Sequence, residues 1–114
     1  MKIVQTVKGG IAVIREVTEP IKDTSTFLSV IIAPGTDIVA IYKEHLDPEF
    51  FNLKSRLAGE LLQKVSNYRM RLIILGDFSE IGSKSLADFI FESNQTGHVV
   101  FADTLEEGIR LLKI

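Results

Sequence analysis

The chain has no cysteine and no tryptophan, and only two histidines and three prolines. Without thiols it can form no disulfide, thiolate metal site or cysteine nucleophile, which is consistent with a cytoplasmic protein. His45 and His98 stand far apart, neither with a cysteine or a second histidine near it. Zinc usually takes three or more protein ligands, so both are expected at strand ends or on the surface, and no metal or cofactor is expected. Long apolar runs are also missing. Val30 to Ala33 and Leu72 to Leu75 fall far short of the roughly 20 residues that cross a bilayer. The segment Met1-Lys2-Ile3-Val4-Gln5-Thr6 lacks the apolar core and cleavage site of a signal peptide. Membrane contact is therefore not expected. Neither sign of charge dominates, since 13 Lys and Arg face 15 Asp and Glu for a net charge of -2. The basic residues Lys54, Arg56, Lys64, Arg69 and Arg71 are interleaved with acids, which argues against a nucleic-acid face. There is no Gly-x-Ser-x-Gly elbow to support a hydrolase triad.

What remains is an ordinary globular composition, 46% hydrophobic and 25% charged, of a length that suits one domain over residues 1–114. Ile3 to Val7 and Ile11 to Val17 are rich in β-branched residues and flank Lys8-Gly9-Gly10, so an opening hairpin is predicted. Asp23 to Ala33 fits either a helix, by the spacing of Phe27, Val30 and Ile31, or a buried strand; a short helix stopped by Pro34-Gly35 is preferred. Asp37 to Lys43 reads as a strand, and Asp47-Pro48 as a cap and first helical residue. Asn52 offers a second cap, so Pro48 to Phe51 can be a separate turn. Leu53, Leu57, Leu61, Val65 and Tyr68 then form one helical stripe. Met70 to Leu75 is apolar enough for a central strand covered on both faces, and Gly76-Asp77-Phe78-Ser79 ends it. Ser85 with Asp88 predicts a capping box for the next helix, closed over Asn94 to Gly97. Val99 to Ala102 is a short strand. Thr104 with Glu107 caps a last helix whose buried face is expected to be Leu105, Ile109 and Leu112. The order β-β-α-β-α-β-α-β-α implies an α/β fold with a mixed, mostly parallel sheet and right-handed crossovers.

From Phe50 onward the chain resembles a bacterial family catalogued as domain of unknown function 4180. The residues that carry the likeness are Phe50-Phe51, Leu53, Ala58-Gly59, Gln63-Lys64, Asn67-Tyr68, Gly76-Asp77-Phe78-Ser79, Glu92-Ser93-Asn94 and Phe101, with Ser55 where that family is expected to have threonine. The likeness implies a family without an assigned activity. In topology the chain is also similar to the STAS fold of bacterial anti-sigma-factor antagonists. That similarity implies a regulatory phosphorylated serine or threonine at the start of the helix after the third strand, near Ser55. The Asp-Ser-Ser-Gly-Leu signature is replaced here by Asn52-Leu53-Lys54-Ser55-Arg56-Leu57.

Two groups of residues are candidate sites. At the carboxyl ends of the strands, where open α/β sheets bind ligands, lie Ser55 and Asp77, with Ser79 and Ser85 nearby. Ser55 is either a phosphorylation switch, favoured by the helix dipole with Lys54 and Arg56 at hand, or a hydroxyl bonded locally. Asp77 is either an acid, base or ligand contact, or a loop cap. Gly82-Ser83-Lys84-Ser85 suggests a phosphate loop, but Asp77 sits where the Walker spacing needs glycine. At the opposite edge, Gln63, Lys64, Asn67 and Tyr68 end one helix and Glu92, Ser93 and Asn94 end the next. A Glu92 to Lys64 ion pair could fix helix ends there, or the group could form a partner surface. The reading favoured is a non-enzymatic regulatory or protein-interaction module with an unidentified protein partner. The alternative is a small-ligand or anion-binding protein or enzyme around Asp77. A homodimer through the hairpin edge is a third reading.

Overall fold

The computed structural model describes residues 3–52 and 56–113. Strands β1 (Ile3–Lys8) and β2 (Ile11–Val17) form the expected hairpin, turned by Gly9 and Gly10 at φ +61° and +79°. These are left-handed values that a side chain would strain. Helix α1 (Thr24–Ile32), strand β3 (Ile38–Tyr42), helix α2 (Leu57–Asn67), strand β4 (Arg71–Leu75), helix α3 (Lys84–Thr96), strand β5 (Val99–Ala102) and helix α4 (Leu105–Leu111) follow. Short 3-10 turns at Lys43–His45 and Pro48–Phe51 lie between β3 and α2.

The five strands stand in the sheet in the order β1-β2-β3-β4-β5. β1 runs antiparallel to β2, and every other pair is parallel. Three successive crossovers, each advancing by one strand in the same direction, place α1, α2 and α3 on the same face. The cores follow this division. Ile14, Ile41, Leu72, Ile74 and Phe101 pack with Phe27, Leu61, Val65 and Ile90 of those helices. The alternate residues Val13, Ala40, Ile73, Leu75 and Val100 point the other way and meet Leu112 and, less deeply, Leu105 and Leu111. β4 is thus covered on both faces, as its unbroken apolar run requires. Each fully buried side chain such as Phe27 or Leu61 contributes about 1.5–3 kcal/mol.

The ambiguous segment is a helix because Asp23 caps it, its Oδ1 accepting from the Thr26 N–H at 2.7 Å. Three expectations need correction. α3 begins two residues earlier than the Ser85–Asp88 box implied. Ser83 is its cap, accepting from the Leu86 N–H at 3.2 Å, and Asp88 instead pairs with Lys84 at 2.9 Å. Tyr68 does not extend the α2 stripe. The helix ends at Asn67, Arg69 turns back at φ 56°, and Tyr68 is left 55% exposed. The buried face of α4 is centred on Gly108, with Ile109 turned outward, because a Cβ on Gly108 would lie 2.5 Å from Ile73 Cγ2. Glycine there lets the helix rest directly on β4. Leu53 of the predicted stripe lies outside the described residues.

Candidate binding cleft

Parallel strands release their chains at one edge, so the segments after β3 and β4 are neighbours by construction. After β3 come Lys43, Glu44 and His45. After β4 come Gly76, Asp77 and Phe78. Gly76 is held close to the first of these segments, since a Cβ on it would lie 2.7 Å from Lys43 Cβ. The segment before α1 joins the same edge through a parallel bridge between Ile21 and Leu46, with the Ile21 N–H donating to the His45 carbonyl at 2.8 Å. Between these loops and the start of α3 opens a cleft of about 790 Å³, lined among others by Leu46, Phe51, Phe78, Ile81 and Leu86 with Lys43.

Lys43 spans the cleft wall. Its ammonium donates to the Asp77 carbonyl at 3.0 Å and stands 5.3 Å from the Phe78 ring centre and 6.0 Å from that of Phe51. The rings continue inward. Phe78 meets Phe101 edge to face at 5.4 Å, and Phe101 meets Phe89 of α3 at 6.2 Å. The cleft floor is therefore the outer end of the helix-side core.

Asp77 and Ser79 do come together. Asp77 Oδ1 accepts from the Ser79 hydroxyl at 2.6 Å and from the Ser79 N–H at 2.9 Å. These two bonds, hydroxyl first, hold the carboxyl below its usual 3.8, and the Lys43 charge adds to them. Asp77 is thus an ionised turn-former rather than a proton donor poised near neutrality. Ser85 is exposed in the first turn of α3 and is not among the residues lining the cleft. Ser55 lies outside the described residues.

The polar group at the opposite edge divides. The Gln63 amide donates to Asn67 at 3.0 Å along α2, and both line an open groove with Lys64, Gly59 and Phe89. Glu92 lines a separate hollow with Ser66 and His98. The ion pairs among the described residues are Lys84–Asp88 and Arg110–Glu107, so Lys64 and Glu92 do not pair. Asn94 has a different task. Its Oδ1 accepts from the Phe101 N–H at 2.8 Å and its Nδ2 donates to the Phe101 carbonyl at 3.2 Å, while Ser93 Oγ donates to the Val99 carbonyl at 2.5 Å. Ser93 and Asn94 so occupy the outer edge of β5, where another strand would otherwise add.

Sequence reasoning singled out none of Lys43, Glu44, Glu80 or Leu86. They come from separate loops that only the sheet brings together. His45 is found at a strand end, as expected, but is buried rather than on the surface, 8% exposed. Its Nδ1 accepts from the Tyr42 N–H at 3.2 Å, and burial lowers its pKa below 6.5 against opposing effects of Glu44 and the Arg15 backbone.

Fold and cleft define an α/β protein with a sequentially ordered sheet, three helices on one face and a fourth on the other. No helix among the described residues is long and apolar enough to cross a membrane. The chain belongs to the family described as Domain of unknown function (DUF4180), whose model matches residues 7–112. The match takes in β2 and α1 as well as the second half of the chain. No match is found among curated proteins or among solved structures.

Proposed function

We propose that this protein is a non-enzymatic interaction module of STAS-like architecture, acting in the cytoplasm as a single domain, and that its working surface is the cleft beyond β3 and β4. The observation that carries this reading is an apolar cleft of about 790 Å³ at the edge where open α/β sheets receive ligands. The hairpin leading a sequential parallel sheet supports the STAS-like reading. The commitment of Asp77 to its own turn speaks against acid-base chemistry there. The test is in-cell cross-linking with the wild type and with Leu86→Glu, which places a charge on the cleft floor. A partner lost in the folded variant supports the reading; unchanged partner profiles sink it. Ser55 is the proposed switch, and Ser55→Asp and Ser55→Ala variants that capture the same partners equally well would remove that role.

A second reading, a small-ligand binder or enzyme using Asp77 with Ser79, is favoured by the cleft's size, which suits a metabolite. Thermal shift against a metabolite and nucleotide library separates the two, because a saturating ligand raises the melting temperature.

A further inference from the structure

We infer that the cleft is shaped for a basic, amphipathic segment of a partner protein, apolar side chains on the Phe51–Phe78–Leu86 floor and cationic ones at the Glu44–Asp77–Glu80 rim. The inference rests on the cleft being the working surface and adds the chemistry of what fills it.

The floor asks for apolar groups. Leu46 is buried, and Phe51, Phe78, Ile81 and Leu86 are half-buried, each offering carbon surface to the opening. Among the described residues lining it, the charged groups are Glu44, Asp77 and Glu80 against Lys43, three carboxylates to one ammonium. That ammonium is already matched by the Asp77 carbonyl and two ring faces. Neither Glu44 nor Glu80 enters an ion pair among the described residues. The rim therefore favours positive charge and opposes an anion.

The cation is not a point charge either. Among the described residues no three carboxylates or imidazoles are grouped so as to hold a metal ion. Carboxylates spread around an apolar floor match positive charges that are spread likewise, as along a helix with lysine or arginine flanking a leucine face. The seating of Lys43 shows the local chemistry, an ammonium held by a backbone oxygen and aromatic faces.

The experiment uses fluorescence anisotropy with the full chain and labelled synthetic helical peptides. One carries leucine and lysine, one leucine and glutamate, and one lysine and serine. The leucine–lysine peptide should bind, the other two at least about tenfold more weakly. Glu44→Lys with Glu80→Lys should weaken binding about tenfold, whereas Asp37→Lys with Glu92→Lys, which changes net charge equally but at the opposite edge of the sheet, should weaken it less than about twofold. Equal losses in the two double variants, or equal binding of the glutamate peptide, overturn the inference, as does hexylammonium competing as tightly as the peptide. Leu86→Glu and the milder Ile81→Ser, each checked for folding by its urea midpoint, separate the two levels. If the glutamate peptide binds as well and both floor variants release it, the cleft is a docking site of other chemistry, and only this inference fails. If neither floor variant affects the leucine–lysine peptide, the cleft reading fails with it.

Discussion

Replacing Asn94 by alanine removes both bonds by which its side chain occupies the Phe101 N–H and carbonyl, at 2.8 and 3.2 Å. A hydrogen bond of this kind contributes about 0.5–1.5 kcal/mol net, so the two together are worth about 1–3 kcal/mol. Alanine returns about half a kcal/mol because it is the better helix former. That leaves about 0.5–2.5 kcal/mol, and a loss near the middle of this range, about 1–2 kcal/mol, is expected. For a domain of this size that is a fall in melting temperature of about 4–8 °C. Urea unfolding followed by circular dichroism measures it, with an unchanged m-value expected because the native fold persists. Gln95→Ala, at the exposed neighbour, should stay within about 0.5 kcal/mol of wild type and so controls for propensity. Amide exchange gives the site-specific readout: the Phe101 amide should lose protection in Asn94→Ala, with β4 amides retaining theirs. An Asn94→Ala protein as stable as Gln95→Ala, or one whose Phe101 amide stays protected, refutes the assignment of Asn94 to the sheet edge.

Gly108→Ala should destabilise by about 1–3 kcal/mol despite the helix-propensity gain, since its methyl would meet Ile73. Pairing it with Ile73→Ala in a double-mutant cycle should show the two losses to be less than additive. Ser83→Ala should cost about 1 kcal/mol and Ser85→Ala less than about 0.5, a comparison that locates the cap of α3 by thermal melts. His45, its pKa lowered chiefly by burial, is held neutral in the fold. Its contribution is therefore complete above its ordinary value of 6.5 and lost as pH falls below it. Urea midpoints measured from about pH 8 down to about pH 5 should decline through that range. His45→Gln, which keeps an acceptor for the Tyr42 N–H, should flatten the decline; an equally steep one would assign it to other groups.

The order of strands and helices was legible because β-branched runs, glycine turns and Asp or Thr caps are local signals. Asp47 and Thr104 mark their helical turns within three residues of the groups they bind. Where two local signals compete, the sequence is weaker. Ser83 and Ser85 are both plausible caps, and only the extended backbone at Ser83 decides between them. Leu105 and Leu112 did point α4 at the sheet, but Gly108 as its closest approach could not be read, since a glycine that lets a helix sit on a strand looks locally like a defect. Asp77, Ser79 and Ser85 share the carboxyl edge of the strands and were named together on that ground, but only Asp77 and Ser79, two residues apart in one turn, meet. The cleft was not named, because Lys43, Phe51, Phe78 and Leu86 share no sequence period and meet only once β3 and β4 lie side by side. Asn94 and Phe101 were both noted as family-like, but nothing in the sequence says that one side chain reaches the other's backbone.

A sheet whose spatial order equals its order in the chain can grow by addition. Each strand pairs with the edge of its predecessor, and from β2 onward the helix between them covers the junction they make. No strand pairs beyond its neighbours in the chain, which permits the domain to assemble in the direction of synthesis. α4 covers the opposite face, and the Arg71 side chain fastens the far end by donating to the Lys113 carbonyl at 3.0 Å. Growth of this kind needs an end as well as a beginning. α3 supplies it, covering the last strand with one face and, through Ser93 and Asn94, denying its open side to any further one.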